Sequence, residues 1–465
     1  MKSVIHKTVL AALPAIIGGL YSNVAGASGF QLFEQNASGL GTAYAGSAAV
    51  AEDASTVFFN PAGMAFLPAG KKNITVGVDL IKPSVKFSDG GTTNAALQPA
   101  GNGNGGDAGS LAPVPHGYFT MPINNKVSFG FGVSAPFGLK TEYDSGWNGR
   151  FQAIKSSVET LNLNPSLSFK VNETVALGFG LNYQHIKGEF SSAVNYGAVI
   201  AGVAANPGLG GLMAFAPTAG AGTLNISGTD DAWGYNFGAM FQVNPETRLG
   251  VSYRSVIKYH ITGTASATPN ANLSAALGAL PAPTAAAVAA GLPTRGGAVY
   301  ADIKMPDTLI LSGLHHLNRQ WDIMGDLSWT GWAKIPALTF VYANNNSVLS
   351  STKENWRNTV RVAVGASYKY NDHWKARMGL AYDQSPVPDS TRTPRLPDSD
   401  RTWLSLGGQY KPTKDSAVDF AYTHILVKNA GINSNADTAS LAYGNILGTY
   451  KNSVDIIGVQ YSMAF

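Results

Sequence analysis

Bulky apolar residues alternate with small or polar ones along most of this chain. Val127-Ser128-Phe129-Gly130-Phe131-Gly132-Val133-Ser134 is one such run, and Val175 to Gln184, Trp233 to Gly238 and Val360 to Lys369 repeat it. Successive strand side chains point to opposite faces, so a period of two predicts β-strands with one apolar face each. In a soluble sandwich that face would meet a second sheet. Here the other face carries Gly, Ser, Asn, Gln and charges, as the lining of a lumen would. Fourteen segments read this way: 73–87, 115–123, 126–139, 158–171, 174–187, 231–243, 247–263, 306–317, 320–333, 357–370, 373–384, 401–411, 416–428 and 453–465. An even count suits a closed single-chain bacterial barrel. Asn124-Asn125, Asn172-Glu173 and Asn371-Asp372 predict tight hairpin turns, and they alternate with much longer connections. The predicted fold is all-β: a 14-stranded antiparallel transmembrane β-barrel with short periplasmic turns and long extracellular loops.

The first seventy residues break the pattern. Lys2 and Lys7, an apolar run from Thr8 to Leu20 and Ala25-Gly26-Ala27 predict a signal peptide over 1–27. That apolar run is shorter than the ~20 residues a spanning helix needs. No later run is long enough either, which leaves a closed barrel as the way to cross a membrane. The stretch from Ser28 to Met64 is rich in Gly and Ala and lacks alternation. It is too small to bury a core alone and predicts a plug packed inside a larger barrel. The predicted organisation is a signal peptide at 1–27, a plug (hatch) at 28–70 and a barrel at 71–465.

Composition narrows the chemistry. Only 13% of the 465 residues are charged, and the formal charge of +4 argues against a nucleic-acid partner. Cysteine is absent, so neither disulfides nor thiolates are available. His116, His185, His260, His315, His316, His373 and His424 fall in no nucleophile–base motif, and neighbours such as His315 and His316 face opposite sides of a strand. No catalytic residue, metal or cofactor is expected, and the chain reads as a non-enzyme. In the third segment, Pro136 removes a ladder hydrogen bond and Gly138 tolerates unusual dihedrals; with Phe137 between them they predict an inward kink and a gap between neighbouring strands. Loops at about 193–228 and 265–297 carry apolar runs that predict short helices, either as a binding surface or as two caps packed on each other. Parity on the tenth segment points Arg357 and Arg361 into the lumen, where a guanidinium suits either a carboxylate ligand or an acid of the plug. Lys187 is a further candidate, although simple alternation from Val175 points it outward.

Ser28-Gly29-Phe30-Gln31, Gly39-Leu40-Gly41-Thr42-Ala43-Tyr44-Ala45-Gly46 and Asn60-Pro61-Ala62 together resemble the hatch of the FadL family, outer-membrane transporters of long-chain fatty acids and other hydrophobic compounds. Asp383-Gln384-Ser385-Pro386-Val387-Pro388, followed by Pro397-Asp398-Ser399-Asp400-Arg401-Thr402-Trp403-Leu404-Ser405, looks like that family's extracellular segment. Phe465, closing an alternating strand, resembles the C-terminal signature read by the outer-membrane insertion machinery. The resemblance implies passive uptake across a Gram-negative outer membrane by a monomer surrounded by lipid and lipopolysaccharide. The two long loops would form the groove that first captures substrate, and Phe137-Gly138 would match the family's kink, through which substrate leaves sideways. Phe30 would reach into the substrate pocket, and Arg357 falls on the family's pocket lysine. Long-chain fatty acids are the first expectation, an aromatic or alkane hydrocarbon the second, and a structural barrel or adhesin without transport the third.

Overall fold

A computed structural model describes residues 28–205, 210–269, 271–278, 281–283, 285–286, 296–434 and 442–465; the predicted signal peptide lies outside them. In chain order the strands are β1 Asn73–Asp89, β2 Ala112–Pro122, β3 Val127–Ser134, β4 Gly138–Glu142, β5 Lys155–Lys170, β6 Val175–Asn195 and β7 Ala221–Asn244. They continue as β8 Thr247–Arg254, β9 Ile257–Thr268, β10 Gly297–Met305, β11 Thr308–His316, β12 Trp321–Thr330, β13 Ala337–Tyr342, β14 Val348–Lys353 and β15 Thr359–Lys369. The last five are β16 Trp374–Asp383, β17 Arg401–Thr413, β18 Ser416–Val427, β19 Ala430–Ser434 and β20 Ile446–Ala464. All pair antiparallel in one sheet, and β1 closes the ring on β20 from Asn73↔Ala464 to Asp89↔Gly448. Main-chain bonds between Lys72 and Phe465 extend that seam. Several crossings are built from two strand pieces, so the wall is a closed 14-stranded barrel.

The alternation has a physical cause in two different surroundings. On β6, Leu177, Phe179 and Leu181 are exposed while Ala176, Gly180 and Asn182 are buried. The exposed positions form an apolar outer band, and the inward ones are small or polar. Near the short turns, Trp321 with Tyr368 and Trp374 with Tyr410 supply aromatic pairs for the membrane interface.

Three features depart from the sequence reading. The β6–β7 ladder runs out to Asn195↔Ala221, so both ends of the predicted loop at 193–228 are strand. Gly222, Ser227 and Gly228 dilute the apolar signal there. Beyond the ladder, a helix at Tyr196–Ala204 packs Tyr196 and Ile200 against Leu273 of the next long loop, so the two loops do meet. The hairpin of β13 and β14, too short and irregular to show a period, joins the sheet through Val299↔Tyr342.

Residues 28–67 lie inside the ring. Leu32, Leu40, Tyr44, Ala48, Val57 and Ala62 are buried, and this segment is fastened on many sides. The Ala48 amide donates to Ser312, the Ser47 hydroxyl to Asp326 and the Ala37 amide to Gln460 Oε1, each within 3.1 Å. Asn60 Nδ2 donates to the carbonyls of Ala48, Ala239 and Val251 at 2.7, 3.1 and 3.3 Å. Glu52 pairs with Lys375 at 2.7 Å and Arg377 at 2.8 Å, and Arg377 also pairs with Asp419. At Gly379 the wall touches the plug backbone, where a Cβ would lie 2.1 Å from the Thr42 carbonyl carbon. Only glycine allows that approach.

Candidate functional site

The third crossing is broken. β3 pairs with β2 only from Gly117↔Val133 to Pro122↔Ser128, whereas β4 pairs with β5 alone. Ala135, Pro136 and Phe137 belong to neither piece, and Ala112 to His116 of β2 have ladder partners on β1 but none on the third crossing. Buried main-chain groups need partners wherever the chain turns. Here the plug supplies them. The Leu32 amide donates to the Pro136 carbonyl and the Gly138 amide to the Phe30 carbonyl, both at 2.8 Å. The Gln35 side chain donates to the Ala135 carbonyl at 2.8 Å and accepts from its amide at 3.2 Å. Thr160 Oγ1 of β5 accepts from the Phe137 amide and donates to its carbonyl at 2.9 and 2.7 Å. Residues Phe30 to Gln35 thus act as a short stand-in strand at the break.

On the extracellular side of this segment the lumen is apolar. Phe30 sits among Phe137, Trp332 and Trp356, with ring centroids 5.9, 5.1 and 5.7 Å away. Val158, Ile186, Met305 and Leu396 continue the same cluster. Above it a hollow of about 30 Å³ is walled by Val158, Ile186, Phe190, Ile261, Val299 and Phe340. Toward the short turns, a cavity of about 360 Å³ is lined instead by Glu52, Asp53, Arg248, Asp322, Lys375 and Lys411. The plug therefore separates a closely packed apolar region from a polar cavity.

The extracellular motif grips the start of the plug. Asp398 Oδ2 accepts from the Gly29 amide at 3.0 Å and from Ser385 Oγ at 2.8 Å, while Arg401 holds Asp398 Oδ1 at 2.6 Å. Asp400 accepts from the Ser385 amide, and Ser28 Oγ donates to the Gln384 carbonyl. Pro386 lends its carbonyl to the Arg357 amide. Asp383 is buried behind these residues at the end of β16.

The candidate cations fare differently. Arg361 does face inward, but it donates to the Ala43 carbonyl at 2.7 Å and lies between Phe33 and Trp403, which makes it a support of the plug. Arg357 is not a lumen residue. Its side chain is 60% exposed and lies 3.8 Å from Asp400, which in turn bonds the outward Tyr382. The parity count failed because β15 starts at Thr359, two residues beyond Arg357. Lys187 keeps to the outward face, paired with Glu189 at 2.7 Å.

Sequence reading missed Gln35, Thr160, Trp332, Trp356, Glu354 and Arg395. Glu354 is buried, and burial pushes its carboxyl up to about 8 although Trp356 Nε1–H donates to it at 2.9 Å. Burial also lowers Arg395, to about 10, so it stays charged at neutral pH. Glu34, on the segment beside the break, is raised to about 7 by burial, against the pull of Arg401 and Arg361.

Comparison with known proteins adds a family. The model described as "Outer membrane protein transport protein (OMPP1/FadL/TodX)" matches residues 18–465. The "Long-chain fatty acid transport protein" of Salmonella typhi is 31% identical over 443 residues, covering 93% of this chain and 94% of that protein. The crystal structure of a Pseudomonas aeruginosa FadL homologue superposes with a TM-score of 0.81 at 28% identity, covering 94% of this chain and 99% of the other. The Pseudomonas putida toluene transporter TodX, at 18% identity and a TM-score of 0.62 over 89% of this chain and 94% of its own, shares the fold.

Proposed function

Because the chain belongs to the OMPP1/FadL/TodX family of outer-membrane transport proteins, we propose that it imports long-chain fatty acids and releases them sideways through the broken third crossing. It is an outer-membrane transporter of hydrophobic compounds. In the finer reading, the two long loops, packed on each other around the buried Ile200, Leu212 and Leu273, part to catch the cargo. The cargo then pries open the packed apolar cluster above Phe30, displaces the Phe30–Gln35 segment and leaves between β2 and β4. Carriage is diffusion down a gradient, without covalent chemistry.

The observation that carries this reading is the break itself. It lies beside Phe30 and Phe137, at the base of the apolar cluster, and its missing partner is a plug segment instead of a neighbouring strand. The axial route would take an acyl chain through the polar cavity. A tail of some sixteen methylenes would forfeit on the order of 13 kcal/mol of apolar transfer there, at ~0.8 kcal/mol each. Leaving through the wall avoids that loss.

A neutral hydrocarbon is the second reading, favoured by the absence of Arg357 from the lumen. Uptake of radiolabelled oleate and toluene by cells lacking their own transporter, with and without this protein, separates the two. Oleate uptake that rises with the protein supports the acid; toluene uptake alone overturns it.

A further inference from the structure

We infer that Arg395 anchors the anionic head of an amphiphilic carboxylate whose tail wedges into the apolar cluster beside Phe190, widening the narrow hollow there. The inference rests on the reading that the cargo is a long-chain acid and names the residue that would select for one.

The other arginines near the lumen are engaged. Arg248, Arg254 and Arg361 are bonded to plug carbonyls, Arg377 is shared between Glu52 and Asp419, and Arg401 and Arg392 pair with Asp398 and Asp389. Lys155 pairs with Glu189 at 2.6 Å. Arg395 differs. Its Nη1 donates to Ser156 Oγ at 3.0 Å and to the Lys155 carbonyl at 3.4 Å, both neutral acceptors. Among the described residues no carboxylate lies within ion-pair distance of it. Glu354 acts on it only through space and is largely protonated at neutral pH. A guanidinium offers five N–H donors, so this one retains capacity for an anion.

Its position suits a head group. The guanidinium carbon is 5.6 Å from the centroid of Phe190, which lines the hollow. Ser156 is two residues from Val158 on the same inward face of β5, further toward the extracellular end, which places the cation at the outer rim. A carboxylate held there by two parallel N–H bonds would direct its tail past Val158 and Ile186 toward Phe30. A neutral hydrocarbon would gain nothing from the same group.

Oleate and methyl oleate have the same tail and differ in head charge, which makes them the decisive pair of probes. Binding of each to the purified full-length protein, and uptake of each by cells, would be measured for wild type, Arg395→Gln and Arg395→Lys. Heat-modifiable gel migration would verify that each variant is a folded barrel. Arg395→Gln is expected to weaken oleate at least tenfold and leave methyl oleate within twofold, with Arg395→Lys recovering part of the loss. Equal losses for both probes would make Arg395 a structural tie between loop and wall and overturn the assignment. Unchanged oleate binding would overturn it as well. If wild type takes up methyl oleate but no oleate, the fatty-acid reading falls and this inference with it.

Discussion

Two of the interruptions in the wall are closed in opposite ways. At the third crossing, the groups of Ala135 to Gly138 are satisfied largely by Phe30, Leu32 and Gln35 of the plug. At the seventh, the ladder between β7 and its neighbours stops at Asn236↔Arg254 and resumes at Thr229↔Thr262. There the wall repairs itself. The Ser255 amide donates to the Tyr235 carbonyl, Ser255 Oγ accepts from the Tyr235 amide, and the His260 amide donates to Asp230. Ile257 covers the remaining space over Gly234. A bulge of this second kind bends a strand. A break becomes a gate only when its partner can leave without unfolding the sheet.

The sharpest way to break this contrast is to weld each interruption. Gln31 and Phe137 face each other as an isolated antiparallel bridge, and the bonds flanking them mark a close pair, within reach of a disulfide. In this cysteine-free chain, oxidised Gln31→Cys/Phe137→Cys should lose at least tenfold of its uptake and regain it on reduction. Oxidised Tyr235→Cys/Ser255→Cys should transport as before. If both welds stop uptake, or neither does, the distinction is wrong.

Next in size is a pH effect on the docking of the plug at the third crossing alone. Docked Glu34 titrates near 7 and a hydrated one near 4.5, so the docked state holds the proton more tightly. Docking is therefore strongest at low pH, weakens from about 4.5 to about 7 and is level above that, by up to roughly 3 kcal/mol. Hydrogen exchange of the Phe30–Gln35 amides, corrected for intrinsic rates, should quicken across that window in wild type and stay flat in Glu34→Gln. Identical profiles would remove Glu34 from the account.

Smaller again, Gln35→Ala strips both side-chain bonds from Ala135 and should loosen the break by roughly 1–3 kcal/mol, read as faster exchange at 135–138. Smallest of all, Gly234→Ala must push Ile257 aside, since its Cβ would lie 2.8 Å from Ile257 Cγ1. A loss of about 1 kcal/mol in stability with unchanged uptake would keep the seventh crossing structural.

Much of this was legible beforehand for a definable reason. Lipid and lumen are different solvents, so every crossing writes its two faces into alternate residues such as Leu177 and Gly178. Pro136 and Gly138 announced a break because the penalties they carry are local. What took the place of the lost ladder was not local. Gln35 and Thr160 look like ordinary polar residues until the plug and β5 are brought together. Arg357 misled because parity extends only as far as the strand does. Arg395, beside a motif that stood out, gave no sign of Phe190 some two hundred residues earlier.

Ser28 and Gly29 are buried, with Gly29 fixed on Asp398. The room around them is narrow, so a segment joined there has little space to pack without disturbing the plug. An affinity tag placed directly before Ser28 is expected to loosen the plug, read as faster exchange of the Phe30–Gln35 amides.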